Sequence, residues 1–305
     1  MRPETSSAPT LLVTGSNGQV GFELRRSLAP LGRVVALERS RCDLTQPEAL
    51  RALVRELRPD VIVNPAAYTA VDKAETDVDT AFAVNGTVPG VLAEVARELG
   101  SLLVHYSTDY VFDGAGHKPY GETDAVNPQS VYGKSKLAGE QAIAVSGAAA
   151  LVLRTCWVAG AHGGNFAKTM LRLARERDSL RVIADQFGAP TTAALIADVT
   201  AQIVARHWLQ GERDKFPAGV YHLAARGETS WHGYASHVIS GAAARGVALK
   251  ATAASIEPIP ATAYPLPAPR PANSRLDTTK LQSTFDIHLP AWEEGIDFLL
   301  DQIIS

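Results

Sequence analysis

The segment TLLVTGSNGQVG, residues 10–21, constrains this chain more than any other. An apolar run leads into three glycines spaced G-x-x-G-x-x-G, and a helical pattern begins on the far side. A strand that feeds a helix through such a turn is the opening of a parallel βαβ unit. Gly15 permits the tight turn, Gly18 lets backbone N–H groups approach a pyrophosphate, and Gly21 lets the helix pack closely on the sheet. Asn17, Gln19 and Val20 complete the turn, and the helix N-terminus favours two phosphate charges. The same residues also fit a ligand-free glycine-rich turn, so the motif needs support from elsewhere in the chain.

That support begins with the order of elements. Short apolar runs at 10–14, 33–37, 60–64, 101–106 and 149–153 alternate with helical patterns at 20–31, 46–57, 77–99 and 128–145. Near-continuous apolar strands separated by helices predict a parallel sheet covered on both faces, with right-handed crossovers. The fold class is therefore α/β: a Rossmann-like, doubly wound sheet with a smaller α/β C-terminal substrate domain. Beyond residue 154 the pattern loosens. A basic amphipathic helix is expected at 165–177, short strands at 181–183 and 220–223, and a helical tail at 292–304. The stretch 258–271 (PIPATAYPLPAPRP) excludes regular helix or a central strand and is read as an ordered substrate loop. The expected division is an arm at 1–9, a dinucleotide-binding domain at 10–155 plus about 180–226, and a substrate domain at about 156–179 and 227–305.

Composition removes several classes of function. The net charge is −3, without the basic excess of a general nucleic-acid or membrane-surface binder. Two cysteines, Cys42 and Cys156, cannot build a disulfide scaffold and fit a reducing compartment. No Cys/His spacing matches a zinc site, and no metal ligand is assigned. No run of 18 apolar residues exists, and residues 1–9 are polar rather than signal-like. The expected address is the cytoplasm.

Candidate chemistry clusters at the carboxyl ends of the predicted strands. Glu38 ends the second strand, where an acid would meet an adenosine ribose 2′-OH, and Arg39 beside it suits a 2′-phosphate. NADH and NADPH both remain open. Asp43 and Leu44 can line the adenine, although Asp43 also fits a turn-capping role. Ala66, Ala67, Tyr68 and Thr69 follow the third strand, with small residues that allow close approach to a cofactor. Tyr132 and Lys136 form Y-x-x-x-K, one helical turn apart on one face. An adjacent ammonium is expected to lower the phenol pKa and make Tyr132 an acid–base group. Thr108, at the end of the fourth strand, can bond the oxygen that Tyr132 protonates. A strand-end Thr that merely satisfies backbone is the plainer alternative.

Seven segments carry a resemblance: RPDVIVN (58–64), TAVDKAE (69–75), VHYSTDYVF (104–112), VYGKSKLAGE (131–140), NFAKTMLRLA (165–174), DQFGAPT (185–191) and RPANSRLDT (270–278). Together they resemble dTDP-4-dehydrorhamnose reductases, extended short-chain dehydrogenases that complete dTDP-L-rhamnose, a precursor of cell-surface polysaccharide. The resemblance runs from about residue 11 to the C-terminal helix. It implies a catalytic set of Thr108, Tyr132 and Lys136, with Tyr132 and Lys136 also touching the cofactor. It implies sugar-nucleotide contacts from Thr108, Asp109 and Trp157. Lys168, Arg270, Asn273 and Arg275 are further substrate candidates, the cations for the diphosphate. The implied partner is a dTDP-4-dehydro-6-deoxysugar, with NADPH or NADH as cofactor and a monomer or homodimer as the assembly. Some members bind Mg²⁺ through acidic residues between subunits; one of those glutamates is matched here by Ala194. Two other readings share the superfamily. Dehydratases and epimerases keep the cofactor bound, but the dehydratase Thr-Asp-Glu set is Thr108-Asp109-Tyr110 here. A non-catalytic dinucleotide-binding subunit, resembling the regulatory subunit of methionine adenosyltransferase, is the other.

Overall fold

A computed structural model describes residues 8–38 and 42–304. Six parallel strands form the central sheet. In chain order the first five are β1 (Thr10–Val13), β2 (Arg33–Ala36), β3 (Val61–Asn64), β4 (Leu102–Thr108) and β5 (Ala150–Thr155), and the sixth is Gly219–His222. From edge to edge the order is Gly219–His222, β5, β4, β3, β1, β2. The chain therefore reverses its winding direction between β1 and β3, and a doubly wound sheet binds ligands at such a switch point. β3, β4 and β5 are buried along their whole length, which explains their largely apolar character, with polar residues toward their carboxyl ends.

Helices Gln19–Leu28, Pro47–Leu57, Val88–Leu99, Val131–Ser146 and Ala193–Ile203 cover the two faces. One face packs Leu24, Leu28, Ile196 and Val199 against Val13, Val63 and Val104. The opposite face packs Leu50, Val54, Leu92 and Ile143 against Leu12, Ile62 and Leu103. Alternate residues of each strand serve the two cores, as the period-two geometry of a pleated strand requires.

A third core builds the second lobe. Met170, Leu171, Leu180 and Val182 meet Tyr234, Val238, Trp292, Ile296 and Leu300. The segment from Ile196 to Leu223, and also Leu281–Leu289, packs instead with the sheet. The Pro-rich segment is ordered. Its Pro258 lies in a short strand, Ile256–Ile259, which pairs in parallel with Leu180–Ile183 in a sheet of two, so it never occupies a central position.

One expectation changes in detail, and the helices Ala193–Ile203, Trp231–Ala244 and Thr279–Phe285 answer to no expected element. The helical run expected at 77–99 is Val78–Phe82, a π turn over Ala83–Thr87, and Val88–Leu99. The wide turn falls at Gly86, where the helix lies close to Ala138 and Ser135. The 14-residue helix Trp231–Ala244 was not foreseen. Its sequence, WHGYASHVISGAAA, mixes polar residues through the apolar face and gives a weak helical period.

Candidate functional site

A cavity of about 800 Å³ opens at the carboxyl ends of β1, β2 and β3. Its lining holds Gly15, Asn17, Gly18, Gln19, Val20 and Gly21 of the glycine turn. Glu38, Asp43, Leu44, Ala66, Ala67, Tyr68, Thr69, Tyr132 and Lys136 also line it. Fifteen of the sixteen residues expected at the cofactor thus share one wall system. The sixteenth, Arg39, lies outside the described residues, as does most of the N-terminal arm.

The glycines are there for space. Gly15 has φ of +53°, and a Cβ on it would sit 2.7 Å from Cα of Ala66. A Cβ on Gly21 would sit 2.2 Å from the Gly15 carbonyl oxygen. The turn is therefore wedged between the helix it opens and the segment after β3. That segment is held in turn by Asn85 in the π turn. Asn85 Oδ1 accepts from the Tyr68 N–H at 2.8 Å, and Nδ2 donates to Tyr68 O and Ser135 Oγ, each at 3.0 Å. The wide turn thus delivers one amide to the cavity wall and to the Tyr132 helix together.

Ser130 caps the helix Val131–Ser146, its hydroxyl accepting from Gly133 N–H at 3.1 Å. Tyr132 consequently lies in the first turn, with its ring edge-on to Tyr110 at 5.4 Å. Burial pushes the Tyr132 phenol up to about 12, against a smaller downward effect of its hydrogen bond with Thr108. The expected lowering by Lys136 is not what this geometry gives. The Lys136 ammonium turns inward, 2.5 Å from Tyr106 O and 3.3 Å from His105 Nε2. Burial lowers it to about 8, with Glu140 acting in the opposite sense.

Thr108 Oγ1 donates to Asp109 Oδ1 at 3.0 Å and accepts from Tyr110 N–H. Asp109 is buried and its Oδ2 has no hydrogen-bond partner. Desolvation lifts its carboxyl to about 6, with Ser274 and Thr108 hydrogen bonds restraining the rise. Ser107 Oγ and Thr155 Oγ1, both on the cavity wall, are likewise buried and unpartnered. Such hydroxyls fit a polar ligand better than an apolar one.

Neither Thr108 and Asp109 nor the other substrate candidates belong to that lining. Trp157 adopts a left-handed backbone, φ +48°, and stacks on Trp231 at 3.7 Å with 15° between the rings. Arg270 pairs with Asp72 at 2.7 Å and donates to Ala268 O. Arg275 donates to Asn273 Oδ1, to Glu228 and to the His117 carbonyl, while Asn273 Nδ2 holds Lys118 O. Lys168 donates to the Ala161 and Gly163 carbonyls, so its ammonium ties down the loop beside the glycine turn. Gln19 fastens the same loop, its Oε1 accepting from Gly160 N–H and Asn165 Nδ2. Among the described residues no cluster of three or more His, Cys, Asp or Glu could hold a metal. No described helix is long and apolar enough to cross a membrane.

Sequence reasoning missed His105, Asn64, Asn85, Ser107 and Thr155. Asn64 and Thr155 end strands and His105 and Ser107 lie in the VHYSTDYVF segment, the only signals the sequence offered; Asn85 had none beyond the neighbouring Gly86.

Comparison with known proteins agrees with this geometry. The family model described as the RmlD substrate binding domain matches residues 9–305. The dTDP-4-dehydrorhamnose reductase of Burkholderia thailandensis is 50% identical, over 97% of this chain and 99% of its own length. A crystal structure of a dTDP-4-dehydrorhamnose reductase from Clostridium acetobutylicum superposes with a TM-score of 0.88. It is 33% identical and covers 97% of this chain and 100% of its own. The Bacillus anthracis dTDP-4-dehydrorhamnose reductase, solved in complex with NADP, gives 0.87 at 31% identity, over 96% and 99%. With the family model spanning nearly every residue and half of the positions shared with a curated relative, this chain belongs to the dTDP-4-dehydrorhamnose reductase family.

Proposed function

We propose that this protein reduces the C4 keto group of dTDP-4-dehydro-L-rhamnose to give dTDP-L-rhamnose, with NADPH or NADH as hydride donor. One observation carries the reading: the glycine turn and the Tyr132–Lys136 pair line a single cavity large enough for a dinucleotide. The relatives' names supply the substrate. The reduced nicotinamide supplies the hydride.

The chain's own residues supply position and a proton. Backbone N–H groups of the glycine turn hold the pyrophosphate, and Ala66–Thr69 wall the cofactor in. Thr108 and Asp109 orient the sugar, with Trp157, Lys168, Arg270, Asn273 and Arg275 as further contacts. Tyr132 protonates the oxygen left by hydride addition. A phenol near 12 is fully protonated at neutral pH and is still a far stronger acid than an alcohol, so it suits the reductive direction. Lys136 holds the nicotinamide ribose and supplies the charge that steadies the phenolate after transfer. The enzyme requires no membrane, and its address is the cytoplasm.

The test follows loss of reduced cofactor with purified protein and dTDP-4-dehydro-L-rhamnose. Turnover should appear without any partner protein and should fall about 10²-fold or more in Tyr132→Phe. NADPH should bind that variant as it binds the parent. Near-parental turnover in Tyr132→Phe would place the proton donor elsewhere.

A further inference from the structure

A chain of buried polar groups runs away from Lys136 into the sheet. Lys136 Nζ lies 3.3 Å from His105 Nε2; His105 Nδ1 lies 3.0 Å from the Asn64 side-chain nitrogen; Asn64 Oδ1 lies 2.5 Å from Thr14 Oγ1. Thr14, Asn64 and His105 are 0% exposed and Lys136 is 1% exposed. Thr14 follows β1, Asn64 ends β3 and His105 lies in the middle of β4, with Asn64 opposite His105 in the sheet register. An interior imidazole among Val and Leu neighbours is costly unless its nitrogens are used. Here both face polar atoms.

The hydrogens admit two self-consistent arrangements. If the Asn64 nitrogen donates to His105 Nδ1, then Nε2 of a neutral ring carries the hydrogen and points it at Lys136. Only an uncharged amine accepts that bond. If the Asn64 amide is turned over, Nδ1–H donates to its oxygen and Nε2 becomes an acceptor for the ammonium. Thr14 satisfies either orientation because a hydroxyl donates or accepts. Each state of Lys136 therefore selects one arrangement of the chain.

We propose that His105 is a positioning residue for Lys136: its Nε2 is the side-chain acceptor that, beside the Tyr106 carbonyl, fixes the ammonium in place and keeps it charged, with Asn64 and Thr14 holding the ring. This rests on the reductase reading, because it gives Lys136 its task. The surroundings leave this duty to few groups. On the lysine's own helix stand Tyr132 and Glu140. From β4 and the turn after it come Tyr106, Asp109 and Tyr110. From β5 and just beyond it come Arg154, whose guanidinium is bound to Glu140 at 2.6 Å, and Cys156. β1 and β3 offer only uncharged Thr14 and Asn64. Among the described residues, Glu140 is the one group that raises the lysine by charge. Burial and the Lys136 charge both keep the imidazole of His105 neutral, free to accept.

The experiment compares His105→Asn with His105→Gln. Asparagine is too short to reach Nζ yet keeps a polar group beside Asn64; glutamine restores the reach. The Lys136 side chain is titrated in ligand-free protein by NMR with labelled lysine, its signal assigned by Lys136→Met. The midpoint should fall by about one pH unit in His105→Asn, because the ammonium loses an acceptor. It should return to within a few tenths of a unit in His105→Gln. The pH at which NADPH affinity begins to fall should move with it. A folded His105→Asn protein with the parental midpoint overturns the proposal. Failure of the parent to bind NADPH or turn over the sugar would strike the functional reading alone, since the titration needs neither.

Discussion

Asp109→Asn separates what the site costs in stability from what it does. Asp109 is fully buried, one of its oxygens has no partner, and its carboxyl is raised from 3.8 to about 6. A raised acid binds its proton more tightly in the folded state than in the unfolded chain. Stability from this group is therefore complete below the unfolded pKa and is lost as pH rises through 6. The shift is about two units, so the ionised carboxylate costs on the order of 3 kcal/mol at pH 8 and about half that at pH 5. Asparagine keeps the shape without the charge. It also places a buried amide donor where Oδ2 stood, a fixed cost of about 1–3 kcal/mol at every pH.

The informative quantity is the change with pH. The stability of Asp109→Asn relative to the parent should rise by about 1 kcal/mol between pH 5 and pH 8. Paired denaturant melts at the two pH values measure it, and other titrating groups cancel in the comparison. At the same time the KM for the sugar nucleotide should rise about tenfold or more, because the variant loses an ionised acceptor beside Thr108. A stability difference that stays flat or falls from pH 5 to pH 8 would refute the claim that desolvation dominates at Asp109.

Gly21→Ala should lose cofactor binding and melt lower, since its Cβ meets the Gly15 carbonyl at 2.2 Å; NADPH titration and a thermal melt check both. Arg154→Met should cost about 3–5 kcal/mol in denaturant unfolding, because it strands Glu140 in the core, where both side chains are 5% exposed. Both NADH and NADPH should support turnover, with a ratio of kcat/KM values below about 10³, or roughly 4 kcal/mol. A larger ratio means that only one of Glu38 and Arg39 reaches the ribose. Arg275→Ala should raise the sugar-nucleotide KM by about one to two orders of magnitude and leave the NADPH Kd nearly unchanged. Loss of NADPH binding with dTDP binding intact would place Arg275 in the wrong site.

The cofactor wall was legible because its signals are local. A glycine that must adopt φ of +53° or sit 2.2 Å from a carbonyl cannot be another residue, and Y-x-x-x-K shares a helix face by geometry alone. The parallel sheet was legible because a strand buried on both faces writes a near-continuous apolar run. Groups that matter through long-range pairing left no such trace. Asn64, His105 and Thr14 lie 41 and 50 residues apart in pairs and meet only through strand register. Asn85 reaches Tyr68 only because a π turn shifts its phase, and nothing in the sequence marks that turn beyond Gly86. The carbonyl bonds of Lys168, a candidate phosphate contact on its basic helix, left no trace either. Its donors go to the Ala161 and Gly163 carbonyls, which only the folded loop brings within reach.

Three buried titrating groups in and beside the cleft share one physical trend. Tyr132 and Asp109 are pushed up and Lys136 is pushed down, so desolvation drives all three toward the neutral form. A site built for proton abstraction would need the phenolate, and burial acts against it. A site built for reduction needs the phenol, and burial supplies it. In the proposed mechanism the charge that appears during turnover is the phenolate, and the group nearest in role is Lys136, whose ammonium is tethered to Tyr106 O and His105 rather than to Tyr132. That tether lets the lysine stay charged in a dry pocket without pairing to the phenol beforehand, so its stabilisation is realised only as the proton leaves. An interaction stronger in the transition state than in the ground state is the kind that accelerates the chemical step.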